Sequence, residues 1–148
     1  MKVAIGSDHA GFNAKQQVID YLKEKGFEVV DFGTYSTESC DYPEFGYKVA
    51  KAVQSGECEK GVVICSTGIG ISIAANKVKG IRCGLCTNVF MAQKTRLHND
   101  SNVLAMGASV TPFEEMKEII DVYFSTEFEG GRHARRVGKI TAIENGEF

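Results

Sequence analysis

The sequence predicts a doubly wound, Rossmann-like α/β fold: a three-layer αβα sandwich on a five-stranded parallel sheet. Two observations carry that expectation. Short apolar runs alternate with segments of helical period along the whole chain. The runs are near-continuously apolar, as strands are when helices cover both faces of their sheet.

Val3–Gly6 is the first strand, and the helix Phe12–Lys25 follows it. Phe27–Phe32 is the second strand, with Pro43–Ser55 as its helix. Gly61–Cys65 is the third, and a Gly-rich turn leads from it into the helix Gly70–Lys77. Ile81–Cys86 and Val103–Gly107 flank the helix Asn88–His98. The runs are rich in Val, Ile and Cys and give way to Gly, Ser or Thr. After the last strand, Thr111 is expected as N-cap and Pro112 as the first residue of the helix Pro112–Phe124. From about residue 129 the chain is a tail, with His133–Ile143 a final helix. No repeat, low-complexity stretch or linker interrupts residues 1–148, so a single domain is expected.

Composition works mainly by exclusion. The net charge is -2, whereas a general nucleic-acid binder should be basic. No basic amphipathic run suggests a membrane surface, and no apolar run approaches the ~20 residues of a spanning helix. The first residues enter a strand at once, so no signal peptide is expected. The five cysteines, an odd number, then read as reduced thiols in a cytoplasm.

Ligands of open parallel sheets bind beyond the carboxyl ends of the strands. Those ends carry Ser7-Asp8-His9 after the first strand and Cys65-Ser66-Thr67-Gly68-Ile69-Gly70 after the third. Acid, imidazole, thiol and a Gly-rich turn thus meet on one rim. Backbone N–H groups of the turn Ser66–Gly70, at a helix start, suit an anion. A dinucleotide fingerprint fits poorly. The third glycine is missing, with Ile73 in its place, and no Asp or Glu lies between Gly70 and Asp100. The turn therefore argues for a small anion rather than a nicotinamide cofactor.

Cys65 stands just before a helix N-terminus, where a thiolate is favoured, but free cysteines are also common core residues. Position alone leaves both readings open. Cys83 and Cys86 resemble a redox or zinc pair, yet they lie in a strand, where residues three apart face opposite ways. Cys40 and Cys58 carry no signal. His9, His98 and His133 show no zincin or zinc-ribbon spacing, so no metal is expected. Arg132 and Arg136, four apart on the final helix, share a face with Arg135 beside them. That is either a solvated basic face or a phosphate clamp.

Several blocks occur together in order. They are Asp8-His9-Ala10-Gly11-Phe12, Asp41-Tyr42-Pro43, the run from Cys65 to Lys77, His98-Asn99-Asp100, Asn102 to Gly107, and Glu129-Gly130-Gly131-Arg132-His133. On these the chain resembles the type B ribose-5-phosphate isomerases, relatives of the galactose-6-phosphate isomerase subunits, along essentially its whole length. The resemblance implies interconversion of ribose 5-phosphate and ribulose 5-phosphate, a pentose phosphate pathway step, through an enediolate and without metal or coenzyme. It implies Cys65 as the base and His98 as the group that opens the sugar ring. Asp8, His9, Ser66, Thr67, Gly68, Ile69, Gly70, Asn99, Arg132 and Arg136 match substrate-binding positions. One branch of the family uses a glutamate base where this chain has Ile71, which leaves Cys65. Some members carry an arginine near Ser109, where this chain differs.

Mechanistically, His98 is expected to exchange a proton with the ring oxygen, with Asp8 assisting, and Cys65 to move a proton between C2 and C1. Thr67 is a candidate shuttle between O1 and O2, and the N–H groups of Ser66–Gly70 would stabilise the oxyanion. Arg132, Arg136 and His9 would hold the phosphate. Topology adds one expectation of its own. A helix over Asn88–His98 is about 16 Å long, close to the length of a strand, so His98 should end near the opposite rim from Cys65. His98 and Asn99 should then act in trans within a homodimer, or a dimer of dimers, as the family's usual dimer also implies. The alternatives are a six-carbon (allose or galactose 6-phosphate) isomerase and a non-catalytic sugar-phosphate or nucleotide-binding module.

Overall fold

The computed structural model describes residues 1–148. β1 (Lys2–Ser7), β2 (Glu28–Asp31), β3 (Lys60–Cys65), β4 (Cys83–Leu85) and β5 (Val103–Gly107) form one parallel sheet, in the order β2-β1-β3-β5-β4. The connecting helices are α1 (Phe12–Glu24), α2 (Tyr42–Gln54), α3 (Ile69–Asn76) and α4 (Val89–Asn99), and α5 (Phe113–Ser125) and α6 (Arg132–Glu144) follow the last strand.

Alternate strand residues feed two cores. Val3, Ile5, Val62, Ile64, Leu104 and Met106 pack with Val18, Leu22, Met116 and Ile119 of α1 and α5. Ala4, Val63, Cys65 and Ala105 pack with Phe45 and Val49 of α2 and with Ile71 and Ala75 of α3. Each buried Val, Leu or Ile contributes about 1.5–3 kcal/mol. Helices therefore cover both faces, as the apolar strands predict. Cys83 packs with the second core and Cys86 belongs to the first, so this pair straddles the sheet. Burial pushes both thiols up, Cys86 to about 12. All five cysteines are free, and no helix is long and apolar enough to cross a membrane.

The two edge strands are shorter than the sequence suggests. β2 lacks Phe27 and Phe32, and β4 lacks Ile81, Arg82 and Cys86. Each has a partner on one side only, so pairing does not extend to the ends of the apolar run. The start of the fifth helix also differs. Thr111 donates its N–H to the Gly107 carbonyl in a tight turn that points its side chain inward. Its hydroxyl is buried without a partner, and Pro112 (ψ 153°) takes the capping position instead.

Two local devices position the chemistry. Asn88 caps α4 by accepting the Met91 N–H at 2.9 Å. At the other end Asp100 adopts φ 46° and binds Arg96 at 3.0 Å and Arg82 at 3.5 Å. Near β1, the fully buried Lys15 ammonium meets both Asp31 oxygens at 2.7 Å. Asp31 also accepts the Gly33 N–H, and Gly33 and Thr34 bond the backbone of Ser7. The loop beside Asp8 is thereby tied down.

Candidate active site

Cys65 ends β3 on the α2–α3 face and is only 5% exposed. Burial alone describes a core cysteine. Its sulfur, however, accepts the Gly68 N–H at 3.2 Å, and a donor aimed at sulfur stabilises negative charge there. Gly68 makes this possible. Its φ is +81°, and a Cβ would lie 2.6 Å from Leu85 and 2.8 Å from the Met106 backbone.

The turn is not a uniform cradle of free N–H groups. Gly68 serves Cys65, and the Ile69 N–H is held by the Thr67 hydroxyl at 3.2 Å. The donors left for an oxyanion are the Gly70 and Ile71 N–H groups in the first turn of α3, which lack helical partners. Asp8, on the same rim, is buried and accepts the Gly11 N–H at 3.1 Å. His9 Nδ1 accepts the Cys40 N–H at 3.2 Å, so the ring's proton sits on Nε2. Ser66 and Ser109 share a hydroxyl hydrogen bond of 2.9 Å. Tyr42 packs its ring where a Cβ on Gly70 would lie, 2.7 Å from its carbons. Sequence reasoning gave Tyr42 and Cys40 no role, although both follow β2 toward this rim.

His98 is elsewhere. Gly61 pairs with Val103 and Cys65 with Gly107, so the two rims are about 13 Å apart along β3 and β5. α4 starts after β4 on the Cys65 rim and ends at Asn99, just ahead of β5, at the amino-terminal rim. His98 and Asn99 thus stand on the rim opposite their own Cys65. α6 lies along that same rim, with Glu129 N–H bonded to the Leu97 carbonyl and Glu144 to the Gly80 N–H. Arg132 and Arg136 are exposed and form no ion pair, which leaves two guanidiniums free on α6, the helix that carries His133. The largest concavity also lies at the amino-terminal rim, bordered by Asn99, Ile140 and Ile143, and no residue of the Cys65 turn lines it.

The three histidines do not gather. His9 stays with Cys65, while His98 and His133 stack with ring centroids 4.0 Å apart and planes within 11°. Glu129 joins them, so that donor atoms of all three lie within 4.8 Å of one another. Histidine spacing alone gives no sign of this cluster, because it forms only when α6 docks on α4. Lone pairs of stacked imidazoles run side by side rather than converging on a point.

Comparison with known proteins bears on both rims. The model of the family described as Ribose/Galactose Isomerase matches residues 3–140. The chain belongs to that family. The matched span takes in Cys65, the Gly-rich turn, His98 and both arginines. Ribose-5-phosphate isomerase B of Escherichia coli strain K12 is 50% identical over 143 residues, 97% of this chain and 96% of that one. A solved Clostridium thermocellum ribose-5-phosphate isomerase B superposes with a TM-score of 0.98 at 57% identity, covering 100% of both chains. A Pectobacterium atrosepticum D-erythrulose-4-phosphate isomerase is 41% identical over 99% of this chain and 97% of its own length. Family members this similar thus carry names for sugar phosphates of different length.

Proposed function

We propose that this chain, an aldose–ketose sugar-phosphate isomerase, interconverts D-ribose 5-phosphate and D-ribulose 5-phosphate with Cys65 as its base. The observation that carries the role of Cys65 is the Gly68 N–H aimed at its sulfur, at a strand end facing the start of α3.

The sugar enters as a furanose. His98 gives a proton to O4 as the C1–O4 bond breaks, and Asp8 takes the O1 hydroxyl proton, leaving an aldehyde. The Cys65 thiolate then removes the C2 proton, the C2–H electrons form the C1–C2 double bond, and O1 becomes an oxyanion. First-turn N–H groups of α3 stabilise that charge, at about 3 kcal/mol for a well-placed donor. The thiol returns the proton to C1 while Thr67 passes the O2 hydroxyl proton to O1, giving the ketose. His9 Nε2–H, Arg132 and Arg136 hold the phosphate, and Ser66, Gly68, Ile69, Gly70 and Asn99 complete the binding surface. No step requires a metal or coenzyme.

His98 and Cys65 lie on opposite rims, so the complete site joins the Cys65 rim of one copy to the His98 rim of another. Arg132 and Arg136 travel with His98 and act across the same boundary. Tyr42, Ile69, Ile73, Val89 and Phe90 are exposed apolar residues on α2, α3 and α4. They give the Cys65 rim an apolar border suited to a homodimer contact. The free thiols and the reaction fit a cytoplasmic enzyme.

The test is Cys65→Ala. Isomerisation should fall by about 10²–10⁴-fold, the usual worth of a positioned base, with the fold intact. Alkylation of the wild-type thiol should abolish turnover, and ribose 5-phosphate should protect. Near-normal turnover by Cys65→Ala would sink the assignment. The second reading, a six-carbon 6-phosphate substrate, rests on Ser109 standing where some relatives have arginine, and on the named range of the family. Relative kcat/KM on ribose, allose and galactose phosphates decides it.

A further inference from the structure

We propose that Glu129 and His133 are positioning residues for ring opening, holding the His98 imidazole in the plane from which it protonates the sugar. This rests on the reading of His98 as the ring-opening acid. Two contacts carry it. The His133 ring stacks on His98 at 4.0 Å with planes 11° apart, which fixes the His98 imidazole plane. One Glu129 carboxylate oxygen lies 4.0 Å from His98 Nε2 and 3.9 Å from His133 Nε2, bracing the edges of both rings while too far for a hydrogen bond. No group of the chain hydrogen-bonds His98 Nε2, which therefore remains available to O4.

His133 has no other evident use for its ring. It is 4% exposed, and its Nε2 is buried with no hydrogen-bond partner, 3.9 Å from the same Glu129 oxygen. Two stacked imidazoles cannot both carry charge at little cost. Burial, together with the positive charges of His98, Arg132 and Arg136, disfavours the protonated form of His133 against the pull of Glu129. The step served is unchanged: C1–O4 breaks, O4 takes the His98 proton, and O1 releases its own.

The experiment separates ring opening from enediolate chemistry. Ribose 5-phosphate is a furanose. Ribulose 5-phosphate cannot close a five-membered ring, because its O5 carries the phosphate. Consumption of ribose 5-phosphate therefore needs ring opening, whereas exchange of the C1 proton of ribulose 5-phosphate in deuterium oxide needs only the base. Glu129→Gln and His133→Ala should lower ribose 5-phosphate turnover by about tenfold, with C1 exchange within about twofold of wild type. His133→Phe, which keeps a flat ring for stacking, should restore most of the turnover lost in His133→Ala. An equal fall of both readouts, no fall in turnover, or a Phe variant as poor as the Ala variant would overturn the proposal. So would activity lost to a chelator and regained with zinc, since a metal would then be pairing these groups. His98→Asn is the reference. If it separates the two readouts while Glu129→Gln and His133→Ala do not, the positioning role alone fails. If it lowers both equally, the ring-opening reading of His98 fails, and the proposal with it.

Discussion

Gly68 donates its backbone N–H to the Cys65 sulfur at 3.2 Å, across a turn that only a glycine can complete. The φ of +81° and the closeness of Leu85 and Met106 leave no room for a side chain. Gly68→Ala should cost about 1–3 kcal/mol of stability through backbone strain. Because the displaced turn misaims both the donor to the Cys65 sulfur and the start of α3, kcat/KM should fall about 10²-fold. Thermal unfolding and steady-state kinetics on one preparation check both, and unchanged kinetics would separate the turn from catalysis.

Arg132 and Arg136 make no ion pair and are exposed, so their removal should leave the fold alone. Arg132→Gln and Arg136→Gln should each raise KM for ribose 5-phosphate by about tenfold, the worth of a charge-assisted hydrogen bond. Tm should be unchanged. A lower Tm with unaltered KM would make them structural.

The Lys15–Asp31 pair should behave oppositely. Lys15 is fully buried, and Asp31→Ala would leave its ammonium without a counter-charge. A loss of about 3–5 kcal/mol in urea unfolding is expected. The Ser7–Asp8 segment, braced by the loop at Gly33, should exchange its amide protons faster in the variant.

His133 predicts a pH dependence of stability. Its pKa in the folded chain lies below 6.5, chiefly through burial and then through His98, with Arg132 and Arg136 adding to this and Glu129 opposing. As pH falls through 6.5, the unfolded chain takes up this proton before the folded one does. The stabilising contribution is therefore complete above 6.5 and is lost as pH drops through the lower folded value. Tm measured downward from pH 7 should decline less in His133→Phe than in wild type. Identical slopes would remove His133 from the acid sensitivity.

Local signals and distant contacts differ in how far they were legible. Continuous apolar strands, the Gly-rich turn and the period of the helices follow from neighbours in sequence, and the sheet and the Cys65 rim formed where expected. The opposite faces of Cys83 and Cys86 follow from strand alternation in the same way. Edge-strand lengths depend on a missing partner, and Pro112 replaced Thr111 as cap because a turn to Gly107 points Thr111 into the core. Least legible were contacts between elements far apart in the chain. Lys15 meets Asp31 inside the protein, and His98 meets His133 only because α6 docks on α4. Even the Gly-rich turn concealed something: two of its N–H groups serve Cys65 and Thr67 rather than a ligand.

The central claim is that one site is built from the Cys65 rim of one copy and the His98 rim of another. Mixing Cys65→Ala subunits with His98→Asn subunits, each inactive in ribose 5-phosphate turnover, tests it most directly. Unfolded and refolded together in equal amounts, half the dimers are mixed, and each mixed dimer holds one intact site. Recovery of about a quarter of wild-type activity is predicted. No recovery, with mixed dimers demonstrated by mass spectrometry, would place Cys65 and His98 in the same subunit's site and contradict the account.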